Sequence, residues 1–138
     1  MSFQKMDLNN RKRPGGRNVL MLYGFSTFDM EKIKAASIAA GIDECLYIDD
    51  QRSDMLIKDL LNNVKDNQDI KSKPHKDKVV LFNGTSQYEL QQFLNQLRNI
   101  SKDSPLIAMV TANSKEWAFK ALIKELKEER KAMSQLSK

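Results

Sequence analysis

The chain holds one cysteine and one histidine in 138 residues. With Cys45 alone, an internal disulfide and a thiolate metal cluster are excluded. With His75 alone, any serine–histidine or cysteine–histidine catalysis would have to run through a single ring, and no partner for it is indicated. Pro74 and several lysines flank His75, so a solvated side chain is expected. No apolar run approaches the ~20 residues of a membrane-crossing helix, and the basic N-terminus lacks the apolar stretch of a secretory signal. Neither a Walker spacing nor G-x-G-x-x-G occurs. The expectation is a cytoplasmic protein with no membrane contact, no metal and no cofactor.

What is present is self-similarity, which outranks local assignments. Val79-Val80-Leu81-Phe82-Asn83-Gly84-Thr85-Ser86 echoes Val19-Leu20-Met21-Leu22-Tyr23-Gly24-Phe25-Ser26, sixty positions earlier. The match continues with Phe28 and Tyr88, Met30 and Leu90, and Ile33 and Phe93. Two further residues near Lys102-Asp103 then shift the offset to 62, aligning Ile48 with Val110, Met55 with Trp117, Ile57 with Phe119 and Leu60 with Leu122. Each copy reads strand, helix, strand, helix. Apolar runs at Val19–Leu22 and Val79–Phe82 imply strands buried on both faces.

Ser26-x-x-Asp29 and Ser86-x-x-Glu89 are capping boxes, with Asp the weaker acid for the purpose. Gly24 and Gly84 let the chain turn sharply, through positive φ if required. A helix start behind a glycine also suits an anion, so Gly24, Ser26, Gly84 and Ser86 form the candidate ligand site. The plainer reading is that both serines only cap, because the box already uses the free N–H groups.

The expected architecture is α/β: tandem βαβα repeats with pseudo-twofold symmetry and a four-stranded sheet covered by helices. A ferredoxin-like order with an extra helix per half is the alternative. The first copy spans 18–64 and the second 79–133, sharing one compact domain. Residues 1–17, basic and closed by Pro14-Gly15-Gly16, read as a disordered tail; residues 65–78 read as a polar, lysine-rich linker, and 134–138 as a second tail. Phe28, Ile33, Ala36 and Ala40 should face inward from the first helix. A helix from about Asp54 to Val64 and one starting at Asn113 or Ser114 complete the halves. Trp117 matches apolar Met55 and is expected in the core, against the sharper reading of a stacking platform.

Asp49-Asp50 at a strand end invites a Mg²⁺ reading. Its counterpart is Thr111-Ala112, and negative charge ahead of a helix suits the helix dipole. A metal enzyme through Asp49 and Asp50 therefore ranks third among functions. A non-catalytic binding or regulatory module leads, with a small anionic ligand or a protein as partner. Nucleic-acid binding through the basic tail, the linker and the C-terminal helix comes second, supported by charge alone.

Leu22-Tyr23-Gly24-Phe25-Ser26, Asn83-Gly84-Thr85-Ser86, Thr111-Ala112-Asn113 followed by Trp117, and Leu122-x-x-Glu125-Leu126-x-x-Glu129 resemble a bacterial family of uncharacterised proteins, domain of unknown function 3783. The resemblance covers about residues 19 to 133. It implies small cytoplasmic proteins of bacteria, many from Firmicutes, with no established activity, and it transfers no catalytic residue.

Overall fold

The computed structural model describes residues 11–64, 74–101 and 104–136, with side chains to residue 134. Strand β1 (Val19–Tyr23) leads through helix α1 (Thr27–Ala39) to β2 (Glu44–Ile48) and a short α2 (Ile57–Asn63); β3 (Val79–Asn83), α3 (Gln87–Ile100), β4 (Leu106–Met109) and α4 (Phe119–Leu136) follow in the same order. The sheet order is β2-β1-β3-β4. β1 and β2 are parallel, as are β3 and β4, while β1 and β3 meet antiparallel at the centre. The α/β class with four strands and covering helices holds. The ferredoxin-like alternative does not, because α1 and α3 each join neighbouring parallel strands instead of strands that straddle a third one.

The central register carries the symmetry. Met21 lies directly opposite Leu81, its counterpart in the second copy, and Tyr23 opposite Val79 mirrors Asn83 opposite Val19. Successive side chains then alternate between two apolar layers, as a strand's period of two requires. Leu20, Leu22, Val80 and Phe82 pack with Met30, Ile33, Phe93 and Leu97 beneath α1 and α3. Val19, Met21, Val79 and Leu81 pack with Ile57, Leu60, Phe119 and Leu122 beneath α2 and α4. No helix among the described residues is long and apolar enough to cross a membrane.

Helical periodicity overruns the structure at two equivalent places. The expected Asp54–Val64 helix is a 3₁₀ turn (Arg52–Asp54), an extended link at Met55-Leu56, and only then α2. The C-terminal helix is broken in the same way, by a turn at Ser114–Glu116 and an extended Trp117 (φ −97°, ψ 150°). The two links pair with each other. The Ile57 N–H donates to the Trp117 carbonyl at 2.9 Å, and the Phe119 N–H donates to the Met55 carbonyl at 3.0 Å. A tertiary ladder thus outweighs local helix preference. The break in helical phase also turns Trp117 outward, leaving it 38% exposed while Phe119 fills the core. Trp117 is therefore not the core residue expected.

Phe28 departs as well. It is 66% exposed, with the Lys32 ammonium 4.1 Å above its ring. Met30, Ile33, Ala36 and Ser37 form the buried stripe of α1, and Phe28 sits roughly 200° around the helix from Met30.

Both turn glycines have positive φ, +86° at Gly24 and +68° at Gly84. Each is crossed by the backbone entering the other central strand. A Cβ on Gly24 would lie 2.2 Å from the Asp77 carbonyl oxygen, and one on Gly84 2.6 Å from that of Arg17. Gly24→Ala and Gly84→Ala should each lower the unfolding free energy by more than about 2 kcal/mol. Gly15→Ala, at φ +102° with nothing within 4 Å, should cost only about 1 kcal/mol. Urea unfolding of the three variants measures the difference, and equal losses would refute the crossing argument.

Candidate functional site

The turn at Gly84 and Ser86, half of the candidate anion site, is buried and filled by the chain itself. Ser86 Oγ accepts from the Glu89 N–H at 3.1 Å, and the Ser86 N–H donates back to the Glu89 carboxylate at 3.0 Å. Arg13 Nη2 donates to the other oxygen of Glu89 at 2.7 Å, to the Gly41 carbonyl at 3.0 Å and, through Nη1, to Asp43 at 3.1 Å. Thr85 donates to Asn18 Oδ1, and Asn83 Nδ2 to the Arg17 carbonyl. The anion at the start of α3 is thus Glu89. At Ser26 the cap is one-sided: Oγ accepts from the Asp29 N–H at 3.2 Å, as the shorter acid predicts.

Residues 11–17 were expected in a disordered tail, and two arginines tie them down instead. Arg13 closes the cluster just described. Arg17 forks onto Glu44 and donates to the carbonyls of Leu61 and Val64 at 2.9 and 2.6 Å, covering the C-terminal end of α2. Residues 1–10 and 137–138 lie outside the described residues, as does the 65–73 part of the linker.

The described end of that linker is also anchored. His75 was expected to be solvated; its ring stacks on Tyr23 with centroids 5.1 Å apart, and the His75 backbone N–H donates to the Gly24 carbonyl at 2.8 Å. Asp50 Oδ1 accepts from the Tyr23 hydroxyl at 2.7 Å and lies 3.1 Å from His75 Nε2. Asp49 accepts from the Arg52 N–H at 2.7 Å, capping the 3₁₀ turn. The two acids considered for Mg²⁺ therefore serve local structure, and the described residues contain no cluster of three His, Cys, Asp or Glu that could hold a metal. Asp77 and Lys127 pair at 2.8 Å beside them.

A groove that the sequence does not announce runs between α3 and β4. It measures about 360 Å³ and is lined by Leu94, Leu97, Arg98, Ser101, Pro105 and Ile107. The two sheet edges differ sharply here. On the α1/α3 side of β2, Cys45 and Tyr47 are 2% and 5% exposed; the matching Ile107 and Met109 on β4 are 42% and 44% exposed. Arg52 Nη1 also donates to the Tyr47 carbonyl on the outer edge of β2, at 3.1 Å. On β4 the Leu106 and Val110 N–H groups turn inward to the carbonyls of Lys78 and Phe82. The N–H and C=O groups of Ile107 and Met109 therefore point outward. The only signals for this edge in the sequence are Ile107 and Met109 alternating with Leu106 and Ala108.

This architecture is a three-layer α/β sandwich, with helices on both faces of a mixed sheet. Residues 78–133, from the approach to β3 into α4, match the family model described as "Domain of unknown function (DUF3783)". No curated protein and no solved structure matches the chain.

Two titrations follow from the geometry. Burial pushes the Glu89 carboxyl up, but hydrogen bonds from Arg13 and Ser86 outweigh it and hold the group below its ordinary value. A depressed carboxyl contributes stability above the ordinary carboxylate range and loses it as pH falls through the folded pKa. Glu89→Gln should therefore cost about 1 kcal/mol at pH 7 and progressively less as the pH is lowered below the ordinary carboxylate range, measured by urea unfolding across a pH series. Burial, then the bond to Asp50, pushes the Tyr23 phenol up to about 12 from 10.0. The raised value adds stability that is whole below pH 10.0 and is lost as pH climbs through about 12. Asp50→Asn should bring the Tyr23 ring-carbon resonance back toward an ordinary titration; an ordinary titration in the unmutated protein would contradict the pairing.

Proposed function

We propose that the chain is a non-catalytic binding module of the bacterial cytoplasm, with a partner docking along the outer edge of β4. The contrast between the two sheet edges carries this reading. β2 has its outer face buried and one outward carbonyl capped by Arg52, whereas β4 presents Ile107 and Met109 beside outward-pointing backbone groups. An edge of this kind is a template for strand addition: main-chain hydrogen bonds supply affinity, and alternate side chains supply selectivity. Cys45, the one cysteine of the chain and buried, suits a reducing compartment.

The glycine turns support this less, since Glu89 and Arg13 fill the one at Gly84. A nucleic-acid surface draws no support from Arg13 and Arg17, which are directed onto Glu89, Asp43 and Glu44. Lys120 and Lys127 of α4 likewise pair with Asp54 and Asp77.

Selection of random octapeptides displayed on phage against the immobilised chain tests the reading. Enriched peptides should bind the unmutated protein and lose at least about tenfold in affinity toward Met109→Lys, whose melting temperature should be unchanged because the side chain is exposed. No enrichment, or peptides indifferent to Met109→Lys, would overturn it.

A further inference from the structure

We propose that the segment added to β4 is an extended peptide carrying a carboxylate, recognised by Arg98 in the groove between β4 and α3. This rests on the β4 edge being the binding surface, as argued above. A fifth strand paired with the outward N–H and C=O groups of Ile107 and Met109 would send every second side chain toward α3. The flank it meets there is Leu94, Arg98 and Ser101, which are one helical face by their spacing of four and three. Ile107 lines the floor of the same groove, and Met109, two positions along the strand, stands on the same side.

Charge decides the chemistry of the occupant. Among the described residues Arg98 is the one charged residue lining the groove, and it has no ion pair or hydrogen bond among them. A planar guanidinium at the rim of an apolar trough is matched by a carboxylate, with bidentate geometry available. The neighbouring Arg130 is already directed inward, donating to the Ser104 and Pro105 carbonyls at 2.7 and 2.9 Å. It closes the chain entering β4 and leaves Arg98 to read the ligand. A second copy of this chain, pairing β4 with β4, would bring Arg98 no carboxylate from the described residues of the groove, whose lining among them contains none. The charge thus favours an acidic, apolar peptide over self-association.

The test uses three synthetic octapeptides that alternate valine and threonine, with glutamate, glutamine or lysine replacing one central valine. Fluorescence anisotropy measures each against the full chain and against Arg98→Glu and Met109→Lys. The glutamate peptide should bind about tenfold tighter than the lysine peptide, one exposed attraction gained and one repulsion avoided. Arg98→Glu should invert that order, and Met109→Lys should abolish binding of all three. Equal binding of the three peptides, lost on Met109→Lys, would overturn the carboxylate and leave the edge standing. Binding of none, or binding untouched by Met109→Lys, would overturn both. Sedimentation that shows a dimer of the unmutated chain dissolved by Met109→Lys would make a second copy the occupant and overturn the peptide. Circular dichroism of the two variants should match that of the unmutated chain, as substitutions at exposed side chains require.

Discussion

The antiparallel contact between β1 and β3 sets the terms for everything around it. Met21 opposite Leu81 places equivalent residues of the two halves face to face, so whatever one half does to the other is done twice. The chain entering β3 must cross the turn leaving β1, and the chain entering β1 must cross the turn leaving β3. Both crossings bring a carbonyl oxygen into the volume that a side chain would need, and only glycine satisfies them. The same relation brings Met55-Leu56-Ile57 against Trp117-Ala118-Phe119 on the far face, where two backbone hydrogen bonds are worth more than continuing either helix. Neither half offers a closed core of its own, because each central strand has its partner in the other half.

Polar residues near these crossings are directed at the chain's own backbone and acids. Arg13 and Arg17 bind Glu89, Asp43 and Glu44, Asp50 receives Tyr23 and His75, and Asp49 caps a turn. Each such pair is modest where it is exposed. Together they hold the two entering segments over the glycines, which is where the sheet's ends would otherwise open. The symmetry relaxes most visibly at the outer edges. There α1 packs on β2, while α3 leaves the corresponding side chains of β4 in water. Function is therefore sought where the copies differ, since the shared parts are committed to holding the fold.

Phe28 and Trp117 show how a residue type can be right for a core and its position wrong. Both are large and aromatic, and both align with apolar counterparts. Phe28 falls off the buried stripe by its angle around α1, and Trp117 is turned outward when its backbone extends to pair with Ile57. Ser86 and Glu89 show the reverse case. Their spacing of three is a local device, read within one helical turn, and the structure contains both of its hydrogen bonds. Asp29, a methylene shorter, makes only half the box.

Residue order alone determined the strands β1 and β3, the glycine turns, the serine caps, the two halves and the α/β class. Each depends on side-chain period, on backbone freedom or on contacts a few residues apart, and such quantities are carried by neighbours in the chain. The antiparallel centre, the breaks ahead of α2 and α4, the anchoring of Arg13, Arg17 and His75, and the groove beside Arg98 were decided by tertiary structure. Apart from the groove, whose walls are the consecutive elements α3 and β4, these unite segments from 27 to 76 positions apart, and the energies that select them arise only once distant parts of the chain have been laid against each other.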